Sequence, residues 1–239
     1  MSKGIKGENM LGIIGAMDEE VSKLKEIMED VTIMTRASMD FYRGRMSGKD
    51  VVVVRSGIGK VNAGICTQIL VDEYGVDAVI NTGIAGSLNA DINIGDIVLS
   101  TDTLQHDMDA TGFGYEPGVI PRMETSVFEA DEKLRTLART CCERVNPDIS
   151  VFEGRVVSGD QFISDKEKKN IILNRFHGCC TEMEGAAIAQ AAYLNRIPFL
   201  IIRAISDKAD DSATEDYPVF EAKAIKHSVR LVSEMMKAL

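Results

Sequence analysis

The chain has 239 residues, a length that suits one α/β domain, and 45% hydrophobic residues supply a sizeable core. Lys and Arg number 27 against 37 Asp and Glu, a net charge of −10 with no basic cluster, which argues against a nucleic-acid partner. No apolar run is long enough to span a membrane, no signal peptide is visible, and five cysteines (Cys66, Cys141, Cys142, Cys179 and Cys180) suit reduced thiols in the cytoplasm and match no common zinc pattern.

In chain order, residues 1–9 (MSKGIKGEN) read as a loose leader. MLGIIGAM (10–17) is a strand candidate, and Met17, Val21, Leu24 and Met28 then step at helical spacing. VVVVRSGIGK (51–60) is a second strand ending in a glycine turn, followed by a helical stripe at Val61, Ile65 and Ile69. AVINTGIAGS (78–87) and GDIVLST (95–101) are further strands, whereas GFGYEPGVIP (112–121) is too rich in glycine and proline for a helix or a central strand. Leu134, Leu137, Cys141 and Val145 mark a helix, GRVVSGD (154–160) a strand, and CCTEMEGAAIAQAAYL (179–194) the mouth of a buried helix. PFLIIRAISD (198–207) is a late strand, and Ile225, Val229, Val232, Met236 and Leu239 line a C-terminal helix. Continuous β-branched runs without alternation suit strands buried on both faces. Strand alternating with helix implies one α/β domain over residues 10–239. The expected fold is a three-layer sandwich with a central mixed, largely parallel twisted sheet flanked by helices.

In such folds ligands gather at the carboxyl ends of the strands. SGIGKV there is neither a P-loop nor GxGxxG, because Val54 stands where a P-loop's first glycine would be and Asn62 where the last glycine of GxGxxG would be. NAD, FAD and ATP are not supported, and with His106, His177 and His227 scattered, no metal or cofactor is expected. Acids do collect at these ends: Asp18, Glu19 and Glu20 after the first strand, Glu182 and Glu184 around Met183, and Asp207 closing the late strand. An acid-rich site suits a reaction that passes through a cation, in which a leaving group is protonated, water is deprotonated and a positive centre is stabilised. Glycosidic cleavage is the obvious class. Read alone, each acid also has a plain structural role: a first-turn helix acid for Glu20, an N-cap for Asp207, and favourable helix electrostatics for Glu182 and Glu184.

Taken in order, GIIGAMDEEV, SGIGKVNAG, INTGIAGSL, VSGDQFIS, TEMEGAAIA and RAISDKAD resemble the 5'-methylthioadenosine/S-adenosylhomocysteine nucleosidases of the nucleoside phosphorylase superfamily, from about residue 10 to the C-terminus. The resemblance implies that Glu20 is the base that activates water and Asp207 the acid that protonates adenine N7. It places Glu184 on the ribose hydroxyls with Met183 packed against the sugar. Glu182 is left as structural or as a support for the residues that touch the ligand, because residues two apart on a helix do not share a face. Phe162 and Ile163 would hold adenine, by stacking and through the backbone, and Gly86 would permit close approach of the ligand. Arg203 and Ser206 would orient Glu184, the water and Asp207, and Ile58 and Tyr217 would border the 5'-alkylthio pocket. The resemblance also implies an isologous homodimer in which Phe113 and Pro121 close the partner's pocket.

One position departs from the family. Ile84 stands where many members carry a small hydroxyl residue near the water. Two other readings compete. A phosphorylase of the same fold needs a cationic phosphate cradle, and GAMDEEV and INTGIAG offer no arginine. A sensor of adenine nucleosides would need the pocket without the acids. The implied products would relieve inhibition of methyl transfer and feed methionine salvage.

Overall fold

The computed structural model describes residues 10–239, apart from the side chains of residues 215, 216 and 218. The expected leader, residues 1–9, lies outside the described residues. The elements run β1 (Leu11–Gly15), α1 (Asp18–Glu26), β2 (Glu29–Arg36), β3 (Met39–Met46), β4 (Lys49–Arg55), α2 (Lys60–Tyr74), β5 (Ala78–Ser87) and β6 (Ile97–Gln105). After a 3-10 turn at Thr111–Phe113 come β7 (Phe128–Glu129), α3 (Glu132–Val145), β8 (Val151–Ser158), α4 (Lys166–Phe176), β9 (Cys180–Glu182), α5 (Gly185–Asn195), β10 (Phe199–Asp207) and α6 (Ala213–Ala238).

The strands form one mixed sheet in the order β10-β6-β8-β9-β5-β1-β4-β3-β2, with β7 on β6 and a further pairing of β10 with β5. Among the described residues five pairings are parallel and five antiparallel. Because β10 pairs with both β5 and β6, and β9 with both β5 and β8, this half of the sheet curls into a closed ring. The curl brings the ends of β8 and β9, which run antiparallel to β5 and β10, to the carboxyl ends of β1, β4, β5 and β10.

The apolar runs explain the layers. β1 and β10 are buried along their whole length, and successive side chains of a strand point to opposite faces. Ile14, Val52, Val54 and Ile201 therefore join Ala63, Cys66 and Leu70 of α2 and Ile188 and Ala192 of α5. Ile13, Val51, Val53 and Ile202 join Val21 and Leu24 of α1, Ala138 and Cys142 of α3 and Leu231 and Val232 of α6. Full burial of each of these larger aliphatic side chains is worth roughly 1.5–3 kcal/mol, so the sandwich is held from both sides.

The hairpin β2–β3 has no counterpart in the apolar runs. Its turn residues, Ala37 and Ser38, both have positive φ (47° and 62°), the geometry of a tight hairpin turn without its usual Asn-Gly signature. β2 is exposed along its length, so no burial pattern announces it. α6 also starts a dozen residues before the Ile225 stripe, which places Tyr217 in its early turns.

Candidate active site

A cavity of about 490 Å³ opens at the converging strand ends. Glu20, Ile58, Gly86, Phe162, Ile163, Met183, Glu184, Arg203, Ser206, Asp207 and Tyr217, every predicted site residue of this chain's own pocket, line it. Phe113 and Pro121 do not: Phe113 is 87% exposed on the 3-10 turn, and Pro121 is half-buried further along the same loop.

Glu20 lies in the first turn of α1, and its carboxylate turns back over the end of β1. Oε2 accepts the amide N–H groups of Ala16 (2.6 Å) and Met17 (3.0 Å), and Oε1 accepts that of Ile84 (3.2 Å). The helix-electrostatic and catalytic readings are thus compatible, since the same carboxylate satisfies N-terminal amides and faces the cavity. Burial pushes its pKa up, against the opposing charge of Arg203 and the three amide donors. Gly83 makes this placement possible, because a Cβ there would collide with Arg203 Nη1 and stand 2.6 Å from Glu20 Oε1. The Ile84 side chain lines the cavity, while its backbone serves Glu20 through the N–H and Arg203 Nη1 through the carbonyl (3.4 Å).

Asp207 is the last residue of β10 and is 2% exposed. Oδ2 accepts from Ser206 Oγ (2.8 Å) and Oδ1 from the Ala209 N–H (2.8 Å), which fixes the carboxyl plane by local bonds. Gly86 leaves room for it: a Cβ there would stand 2.7 Å from Asp207 Oδ1 and 2.8 Å from Ala209 Cβ. Phe162, half exposed at the mouth, meets Tyr217 edge to face with centroids 6.0 Å apart. The Tyr217 hydroxyl also reaches Met17 Sδ at 3.5 Å.

The TEMEG stretch differs from the expected geometry. Glu182 ends β9, Met183 is a link, and Glu184 is the N-cap residue of α5. The two acids are therefore not on one helix, and their separation follows from the switch from strand to helix. Glu182 accepts from the N–H groups of Glu184 (3.0 Å) and Gly185 (2.8 Å), from Ser158 Oγ and from Arg203 Nη2. Glu184 Oε1 accepts the Gly59 N–H at 2.8 Å, and Oε2 lies 3.5 Å from Arg203 Nη2. Burial first, then the Glu182 charge, pushes the Glu184 pKa up to about 7, against Arg203 and the Gly59 amide. Arg203 itself is 1% exposed; burial opposes its charge, and the carboxylates of Glu182, Glu184 and Glu20 outweigh that opposition.

Asn81 lies in the INTGIAGSL motif but is given no role there. It is fully buried in β5, accepts from Arg203 Nη2 at 2.5 Å and donates to the Ile14 carbonyl at 2.9 Å. Its signal in the sequence is an adjacent pair of polar residues, Asn81 and Thr82, inside an apolar run. Gly83, in the same run, is given no role. Among the described residues no three His, Cys, Asp or Glu side chains are grouped so as to hold a metal ion.

A mixed sheet curled around a cavity of buried acids at its strand ends defines the class, and the phosphorylase superfamily profile matches residues 10–237. A curated 5'-methylthioadenosine/S-adenosylhomocysteine nucleosidase from Staphylococcus carnosus is 42% identical over 96% of this chain and 100% of its own. The crystal structure of the nucleosidase of that name from Neisseria meningitidis, in complex with methylthio-immucillin-A, superposes with a TM-score of 0.92 at 38% identity, covering 97% of this chain and 100% of that one. Futalosine hydrolase of Helicobacter pylori superposes with a TM-score of 0.91 at 32% identity, covering 97% and 98%. This chain belongs to the 5'-methylthioadenosine/S-adenosylhomocysteine nucleosidase family.

Proposed function

We propose that this chain hydrolyses the N-glycosidic bond of 5'-methylthioadenosine and S-adenosylhomocysteine, releasing adenine with 5-methylthioribose or S-ribosylhomocysteine. The observation that carries this reading is the composition of the cavity: four buried carboxylates, Glu20, Glu182, Glu184 and Asp207, surround space lined by one arginine. That arginine is already paired with Glu182. A phosphate nucleophile needs free cationic donors, whereas water needs a base.

In this mechanism Glu20 takes a proton from water as the water oxygen bonds to C1' of the ribose. The C1'–N9 bond breaks with its electron pair moving into the purine, and Asp207 delivers a proton to N7 so that adenine leaves neutral. The raised pKa of Glu20 gives it the basicity for its step. Ser206, hydrogen-bonded to the Asp207 carboxyl, orients the acid. Glu184 accepts the ribose hydroxyls, and its negative charge favours a cationic sugar. Phe162 and Ile163 hold the purine, Met183 packs on the sugar, and Ile58 and Tyr217 border the alkylthio group. A fully exposed phenylalanine on the 112–121 loop supports a homodimer in which Phe113 and Pro121 close the partner's pocket. The five unpaired cysteines suit work in the reducing cytoplasm. Its products would feed methionine salvage.

The test is product identification by mass spectrometry after incubation with 5'-methylthioadenosine, with and without phosphate. Adenine and free 5-methylthioribose in both tubes is the expected outcome. A phosphate-dependent sugar 1-phosphate would make the chain a phosphorylase, and binding without turnover would make it a sensor.

A further inference from the structure

The hydrolytic mechanism leaves Glu182 without a part, yet its carboxylate is 3% exposed and holds four donors. Two of its bonds cap the first turn of α5 at the amides of Glu184 and Gly185, and so fix the peptide that carries Glu184. A third comes from Ser158 Oγ, which itself accepts the Ala186 N–H at 2.7 Å. The fourth, from Arg203 Nη2, decides where the one cation of the cavity rests. Nη2 is shared between Glu182 and Asn81, Nη1 reaches the Ile84 carbonyl, and Glu184 Oε2 is left 3.5 Å away, in an ion pair without a hydrogen bond.

We propose that Glu182 is a positioning residue that reserves Arg203, holding the guanidinium off Glu184 so that one Glu184 oxygen stays open to the sugar hydroxyls. This deepens the nucleosidase reading and rests on it. The other Glu184 oxygen is already occupied by the Gly59 N–H. If Arg203 closed on Oε2 as well, both oxygens would be spent within the protein, and the negative charge meant for the cationic sugar would be neutralised. The titratable groups facing Glu182 are Arg203, Glu184, His106 and Cys180, with Glu20 across the same guanidinium. Removing the Glu182 charge acts on Glu184 in one direction from two sources. A like charge disappears and an opposite charge moves closer, and both lower the Glu184 pKa.

The experiment compares wild type, Glu182→Gln and Glu182→Asp by kcat and KM for 5'-methylthioadenosine across pH 5–9. Carboxyl carbon-13 NMR titration of Glu184, identified with Glu184→Gln, runs beside it and needs no turnover. In Glu182→Gln the KM should rise about tenfold, and the acid limb of kcat/KM and the Glu184 midpoint should both move down by about one pH unit or more. Glu182→Asp draws the carboxylate back while keeping its charge, so it should move both in the same direction by a smaller step; this variant carries the test if Glu182→Gln does not fold. An unchanged limb and midpoint in a folded variant, with only the melting temperature lowered, would make Glu182 purely structural and overturn the proposal. A wild type that leaves the nucleoside intact would instead overturn the functional reading, while the NMR midpoint still decides whether Glu182 controls Arg203.

Discussion

Gly83→Ala separates activity from stability at this site. The added Cβ would collide with the Arg203 guanidinium and sit 2.6 Å from Glu20 Oε1 and 3.1 Å from Glu20 Cδ. A carbon at ordinary contact needs about 3.5 Å, so the Glu20 oxygen must retreat by roughly 1 Å. It has little freedom to do so, because Ala16, Met17 and Ile84 hold the carboxylate through their amides. Overpacking of this kind costs about 1–3 kcal/mol, which lowers the melting temperature by roughly 2–10 °C at this chain length. A misplacement of about 1 Å at a reacting group costs on the order of 100-fold in rate. The expected result is a folded protein with kcat down about 100-fold and KM changed less, since the nearest atoms to the new methyl belong to Glu20 and Arg203. Steady-state kinetics and calorimetry on the same sample make the comparison. A kcat within threefold of wild type would refute the argument that Gly83 exists to admit Glu20 and Arg203.

Glu20→Gln and Asp207→Asn should each lower kcat by about 10²–10⁴-fold while still binding substrate, measured by calorimetric titration. Turnover at the parental rate in either would remove that residue from its role. For pH dependence, Glu184 must be ionised to accept hydroxyl protons, so kcat/KM should fall as pH drops below about 7; an acid limb near 4.5 would contradict the raised pKa. For stability, the folded-state pKa of Glu184 lies above its ordinary 4.5, so the carboxyl contributes stability below 4.5 that is lost as pH rises through about 7. Glu184→Gln removes that loss, worth on the order of 3 kcal/mol, so its melting temperature should overtake that of wild type between pH 5 and 8 even as activity vanishes. Sedimentation should give twice the 26.1 kDa chain mass, and Phe113→Ser should raise KM with little effect on the protomer's melting.

The fold was legible where burial wrote itself into the sequence. VVVV, AVIN and FLII suit two-sided strands, because short apolar runs rich in β-branched residues and bounded by turn signals fit strands buried on both faces. The β2–β3 hairpin was hidden for the opposite reason: a strand exposed on both faces carries no apolar pattern, and its Ala-Ser turn lacks glycine. The curl of the sheet was also out of reach. It arises from β10 pairing with β5 and β6 at once, a long-range fact that no local window contains. At the site, chemistry-bearing residues at strand ends were visible as types. Their partners were not, since Asn81 reaches Arg203 across 122 positions and Gly59 reaches Glu184 across 125.

TEMEG shows why that last gap matters. Read as a helix, it sets the two acids on different faces and leaves Glu182 without a defined partner. Read as the join of β9 to α5, it gives each acid a different kind of partner. Glu182 accepts from two backbone amides, a serine hydroxyl and a buried guanidinium. Glu184, two residues on, has one amide hydrogen bond and a longer, 3.5 Å ion pair with Arg203, and burial together with the Glu182 charge raises its pKa to about 7. The Glu182 carboxylate is thus taken up by the protein's own donors, while Glu184 is left short of hydrogen bonds, with the Gly59 amide on one oxygen and only the longer Arg203 ion pair on the other. The cost of that shortage is what Glu184→Gln should give back as stability, and the loss of activity in the same variant should show what the cost supports.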